Sequence, residues 1–226
     1  PTTSQNVIGT LLAEEQKNNT PTIVIGAHYD CVDTPGANDN ASGTAALLEI
    51  ARVLSKCDLD ANIKFIAFGA EEVGLVGAYD YVESLDKNER NKIAAMINMD
   101  MVGVGDKLAI WTIGDKASAI VADLAETYVQ ERNFPYNPPG VEDRSDHAAF
   151  AENGIPSVYF SYEVDPNYHT DNDTIANIDK ENIKNICEIV TEMSYDMAET
   201  PMLQSTQGFH GTVNKYRHIN PNKSQQ

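Results

Sequence analysis

The sequence predicts an α/β fold, a single-domain three-layer α/β/α sandwich around a mostly parallel, mixed sheet. Three observations carry that expectation. Short apolar, β-branched runs alternate with amphipathic segments in the order β, α, β, α, β. That alternation marks a largely parallel sheet covered by helices on both faces. The length, 226 residues with a 42% hydrophobic share, suits one domain with a sizeable core.

Each element follows from its local pattern. Thr22–Ala27, entered through Pro21, reads as a buried strand. Ser42–Lys56 has apolar residues at helical spacing and a basic end, with Ser42 near its start. Asn62–Phe68 reads as the second strand and Leu75–Leu85 as the second helix. Ile93–Met99 is the third strand and Leu108–Thr112 a fourth. Ala117–Arg132 is a helix and Ser145–Glu152 a short one. Ile155–Phe160 reads as another buried strand and Lys180–Met197 as the last helix. Between them, Asn133–Asp146 carries three prolines and a glycine and reads as a long surface loop. No repeat or linker divides the chain. Residues 1–203 read as one domain, and 204–226 as a polar, somewhat basic tail that packs loosely or is disordered.

Charge excludes some functions. Thirty-four acidic residues against 16 basic ones give a formal charge of −18. Nucleic-acid binding needs a basic footprint, so no nucleic-acid partner is expected. The excess acid favours cationic ligands. No apolar run approaches the roughly 18–20 residues that span a bilayer, so no transmembrane segment is expected. The chain opens PTTSQNVIG, without a basic leader or an initiator Met, and reads as a processed or trimmed product. Cys31, Cys57 and Cys187 match no CxxC metal motif. They read as small buried hydrophobes, or as one disulfide plus a free thiol.

In open α/β sheets, ligands bind outside the carboxyl ends of the strands. His28 follows the first strand, Glu71 and Glu72 the second, and Asp100 the third; His169 comes after the Ile155–Phe160 strand. Each is a metal-ligand type of residue. Glu71–Glu72 lies between an apolar strand and a Gly-rich turn, FGAEEVGLVG, a poor place for idle charge. Asp100 sits inside the apolar stretch INMDMVG. A carboxylate there must be paired or bound to a cation. No Lys or Arg lies in these strand-end segments, so a metal is the better counter-charge. Imidazole and carboxylate ligands without thiolate suit Zn²⁺ or a neighbouring divalent metal. A spare carboxylate beside a ligand supplies a base, which is the layout for metal-assisted hydrolysis.

Six segments together carry a resemblance: GAHYD (26–30), GANDNASG (36–43), FGAEEVGLVGA (68–78), INMDMVG (97–103), RSDHAAF (144–150) and YHTDNDT (168–174). In order and spacing they resemble the M28 family of dizinc aminopeptidases. The resemblance implies the zinc-dependent exopeptidase fold and a cofactor of two Zn²⁺ ions. His28 would bind one zinc and His169 the other. Asp39 would bridge them, and Glu72 and Asp100 would complete their shells. Glu71 would be the general base on the water between the metals. Asp30 would orient the His28 imidazole. Tyr168 would donate a hydrogen bond to the developing oxyanion, and Arg144 would shape the substrate cleft. A cis peptide is expected at Asp39–Asn40. The partners implied are peptide substrates with a free N-terminus, in an extracellular or envelope setting. Oligomeric state is not legible.

Met101, Phe160 and Tyr162 stand near strand ends and are candidate linings of a side-chain pocket. Simple core packing is the competing reading for each. Three rival functions share this resemblance: a single-zinc glutaminyl cyclase, a non-catalytic receptor-like homologue, and a carboxypeptidase of related fold. The survival of every ligand and the base favours the aminopeptidase.

Overall fold

The computed structural model describes residues 3–200. The predicted tail, 204–226, and the end of the predicted catalytic domain lie outside the described residues. The chain runs β1 (Val7–Leu11), β2 (Thr22–His28), α1 (Gly43–Leu54), β3 (Asn62–Phe68), α2 (Val76–Ser84), α3 (Lys87–Lys92) and β4 (Ile93–Met99). It continues through β5 (Lys107–Thr112), α4 (Lys116–Glu131), β6 (Gly140–Val141), α5 (His147–Glu152), β7 (Ser157–Glu163) and α6 (Lys180–Ala198). The seven strands form one sheet in the order β1-β3-β2-β4-β7-β5-β6. β3, β2, β4 and β7 run parallel, while β1 and β5 are antiparallel to β3 and β7. The fold is therefore α/β with a mixed sheet, as expected.

The central strands are buried on both faces, which explains their nearly continuous apolar sequence. Every residue of β2 is buried. Ile23 and Ile25 face one core together with Ile63, Phe65 and Ile97. That core is closed by Ile50 and Leu54 of α1, Val121 and Leu124 of α4, and Ile186 and Ile189 of α6. Val24 faces the other way, with Ile66, Phe68 and Met96, onto Ala78 and Val82 of α2 and Phe150 of α5. Each buried Val, Leu, Ile, Phe or Met among them contributes about 1.5–3 kcal/mol relative to exposure. Gly26 lies in mid-strand because a Cβ there would come within 2.5 Å of the Phe68 ring.

Three of the helices, α3, α4 and α6, begin at acidic caps. Asp115 accepts hydrogen bonds from the amides of Ala117 and Ser118, and Asp179 accepts from Glu181. Asp86 and Glu89 form a reciprocal capping box at α3.

The structure corrects several boundaries. The last parallel strand starts at Ser157 and runs to Glu163, later than the predicted Ile155–Phe160. Pro156 has no N–H to give; its carbonyl accepts from Met96, and the strand follows it. β1, α3 and the two-residue β6 are not visible in the sequence pattern. β1 (VIGTL) is an exposed edge strand and α3 buries no residue, so neither shows the inside–outside pattern of a packed element. The three cysteines are free thiols.

Candidate metal centre

Parallel pairing in register brings the carboxyl ends of β2, β3 and β4 together. His28, the last residue of β2, pairs with Phe68 of β3. Glu71 and Glu72 follow β3, and Asp100 follows β4. The irregular turn Ala37–Ser42 lies between β2 and α1 and carries Asp39. The peptide Asp39–Asn40 is cis. His169 sits on the loop between β7 and α6.

Asp39 occupies the middle of the group. Its Oδ1 is 3.2 Å from His28 Nε2, and its Oδ2 is 3.0 Å from His169 Nε2. Asp100 Oδ1 is 3.2 Å from the same His28 nitrogen. Glu72 Oε2 is 3.1 Å from the same His169 nitrogen. Two clusters of ligand atoms result: His28, Glu71 and Asp100 form one, and Asp39, Glu72 and His169 the other. Within each, the ligand atoms lie within 4.8 Å of one another.

A second layer of hydrogen bonds fixes these groups. The Asp30 carboxylate accepts from the amides of Glu71 and Glu72, at 3.1 and 3.3 Å. Its Oδ1 lies 3.6 Å from His28 Nδ1, and the Asp30 carbonyl is nearer, at 3.1 Å. Both leave His28 Nε2 to face the cluster. Ser145 Oγ donates to Asp100 Oδ2 at 2.8 Å and accepts from Asn98 Nδ2 at 2.7 Å. Val32 N–H donates to Glu72 Oε1.

The backbone is held in unusual conformations here. Ala70, Leu75, Met101 and His169 are non-glycine residues with φ between 55 and 60°. Each left-handed residue costs on the order of 1–3 kcal/mol. Such strain concentrates where a site dictates the chain path, and these four flank Glu71–Glu72, follow Asp100 and carry the imidazole.

Electrostatics show what the arrangement lacks. Burial pushes Asp39 up, Asp100 reinforcing while His28 opposes. Burial and Asp39 push Glu72 up. Burial pushes Glu71 up to about 9, with His28 opposing and Asp100, Asp146 and Glu72 reinforcing. Burial also works against a charged His28, yet Asp100, Asp30 and Asp39 outweigh it and hold its pKa well above the ordinary value. Four carboxylates crowd two imidazoles, and among the described residues no Lys or Arg is paired with any of them. The donor set fits divalent metal ions: nitrogen and oxygen atoms, excess negative charge, and one carboxylate split between two clusters.

A cavity of ≈ 530 Å³ opens over both clusters. Met101, Tyr162, Tyr168 and Arg144 line it, together with Trp111, Tyr159 and Ser161. Tyr168 stacks on the His169 ring at 3.8 Å between centroids. Burial and the nearby Asp39, Glu72 and Asp100 raise its phenol pKa, so it keeps its proton. Arg144 stands at the exposed rim in a bidentate pair with Glu142, at 2.6 and 2.9 Å. Phe160 does not line the cavity. Phe160 is fully buried in the core beside Val158, while Tyr159 and Ser161, on the opposite face of β7, line the cavity.

Sequence reasoning missed Asn98, Ser145, Asp146 and Asp173. Ser145 and Asp146 lie in RSDHAAF, and Asp173 in YHTDNDT, but only long-range pairing gives them meaning. Asp146 is fully buried, and neither carboxylate oxygen has a hydrogen-bond partner among the described residues. Burial pushes its pKa up to about 8, with His28 opposing and Asp100 reinforcing.

Comparison with known proteins agrees with this geometry. The model of peptidase family M28 matches residues 6–194. Aminopeptidase YwaD of Bacillus subtilis (strain 168) is 40% identical over 206 residues, 86% of this chain and 45% of that protein. The structure of an aminopeptidase from Aneurinibacillus sp. strain AM-1 superposes with a TM-score of 0.78 at 42% identity, over 85% of this chain and 48% of that one. That of BSAP, a zinc aminopeptidase from Bacillus subtilis, gives 0.80 at 36% identity, over 86% and 50%. The chain spans about half the length of the curated relatives it matches.

Proposed function

The chain belongs to peptidase family M28, and from that premise we propose that it is an aminopeptidase that removes the first residue of a peptide at a dinuclear zinc centre. One observation carries the reading. The two oxygens of Asp39 are divided between His28 and His169, as a carboxylate shared by two metal ions requires. In this reading His28 and Asp100 would hold one ion, Glu72 and His169 the other, and Asp39 would serve both. When bound, the ions supply Lewis acidity, polarising the scissile carbonyl and making water acidic enough to attack near neutral pH.

The rest of the chemistry belongs to side chains. Glu71 stands beside His28 and Asp100, and its carboxylate accepts no hydrogen bond from the described residues. It is free to take a proton from the attacking water and return it to the leaving amine. A divalent cation held beside it would lower its pKa toward the range of a working base. Tyr168 keeps its proton at the cavity mouth and donates a hydrogen bond to the carbonyl oxygen as charge develops there. The free α-ammonium of the substrate seats against the carboxylates, which restricts cleavage to the first residue. Met101, Trp111, Tyr159 and Tyr162 surround the space left for that residue's side chain.

The test is product analysis with a short peptide bearing a free N-terminus. Release of its first amino acid supports the reading. A pyroglutamyl end from an N-terminal glutamine, with no amino acid released, would assign the chain to the cyclase alternative. Loss of the C-terminal residue would assign it to a carboxypeptidase.

A further inference from the structure

Asp173 lies four residues after His169 and only 1% of it is exposed. Its Oδ1 accepts the amide of Asn38 at 2.7 Å, and its Oδ2 accepts the amide of Asp39 at 3.0 Å. Its carbonyl accepts the amide of Ala37 at 3.2 Å. Three consecutive N–H groups of the turn that carries Asp39 therefore end on one residue of the loop that carries His169. A second tie joins the same two segments, since Asn38 Nδ2 donates to Asp165 Oδ2 at 2.8 Å.

The two metal-ligand clusters are scaffolded differently. His28 and Asp100 follow adjacent parallel strands, and Asp100 is further fixed by Ser145. The Asp39 turn is bound to the Asp100 side by Asn40, Ser42 and Asn38, which hold Met99, Met101, Val102 and Gly103. His169 has no strand beneath it. It sits on a loop with φ 55°, its side chain a third exposed. What fixes its place relative to Asp39 is the contact between loop and turn.

We propose that Asp173 is a positioning residue that locks the His169 loop onto the Asp39 turn, and so builds the metal position formed by Asp39, Glu72 and His169 without contributing to the one at His28 and Asp100. The inference rests on the dinuclear reading above. Asp173 touches no reacting atom; it acts by placing His169 against the Asp39 turn, which Asn38, Asn40 and Ser42 hold from the other side.

The test is calorimetric titration of the metal-free full chain with Zn²⁺, for wild type, Asp173→Ala and Asp173→Asn. The asparagine keeps the size of the side chain but offers one acceptor to two amide donors. Wild type takes up two ions. The variants keep one with unchanged affinity and bind the other about 10–100-fold more weakly. A merely structural role would not produce that asymmetry, because general loosening weakens both positions together. Two ions bound by Asp173→Asn with wild-type affinities would overturn the proposal alone, as would equal weakening of both positions. A wild-type chain that takes up fewer than two ions would overturn it together with the functional reading.

Discussion

His28 and His169 approach one carboxylate from opposite sides, with Nε2 of each 3.2 and 3.0 Å from a different oxygen of Asp39. They come from distant parts of the chain, one at a strand end and the other on a loop. Their convergence on Asp39 divides the ligands into two sets, and the predictions follow from that division.

Replacing either imidazole should cost one ion. His28→Ala removes a ligand of the buried cluster and His169→Ala one of the more exposed cluster. Metal analysis after dialysis should find about half the wild-type content in each variant. Full content in either would remove that histidine from the ligand set.

Glu71→Gln should separate binding from chemistry. The variant keeps shape and ligands but cannot accept a proton. Metal content should stay at the wild-type value while turnover falls by about 10²–10⁴-fold or more. Turnover within a few-fold of wild type would mean another group is the base.

Asp30 should matter without touching a reacting group. Its carboxylate holds the Glu71 and Glu72 amides and lies beside His28 Nδ1. Asp30→Ala should weaken metal binding by about 10–100-fold, and saturating zinc should restore much of the activity. Unchanged affinity in a zinc titration would count against the role.

Without metal, the pH dependence of stability should carry a definite sign. Folding raises Glu71 from the ordinary carboxylate value to about 9 and Asp146 to about 8. Between pH 5 and these values the folded chain holds protons that the unfolded chain has released, so stability falls as pH rises. His28, also raised, acts in the same direction. Thermal melts of the chelated chain should show a melting temperature that drops from pH 5.5 to pH 8.5, with a smaller drop for Glu71→Gln. A melting temperature that climbs over that interval would contradict the assignment of these groups.

The sequence and the structure agree most closely where a strand is buried on both faces. Thr22–Ala27, Asn62–Phe68 and Ile93–Met99 are apolar because both faces of the sheet are covered, and their ends point to the ligand positions. β1 escaped notice because an edge strand with exposed Val7 and Ile8 has no inside face to pattern. Of the two readings open for Phe160, cavity lining and core packing, the structure gives core packing: its side chain is fully buried with Val158 and Ile110. Ser145 and Asp173 were inside quoted motifs, yet their partners lie 45 and 134 or more residues away. A single sequence does not display such pairings; packing creates them.

The central claim is a dinuclear zinc centre that cleaves peptides. It is tested most directly by metal content, measured by plasma mass spectrometry, together with hydrolysis of leucine p-nitroanilide before and after chelation. About two zinc ions per chain are expected, with activity lost to the chelator and restored by zinc. One ion or none, or activity that survives complete removal of metal, would contradict that claim.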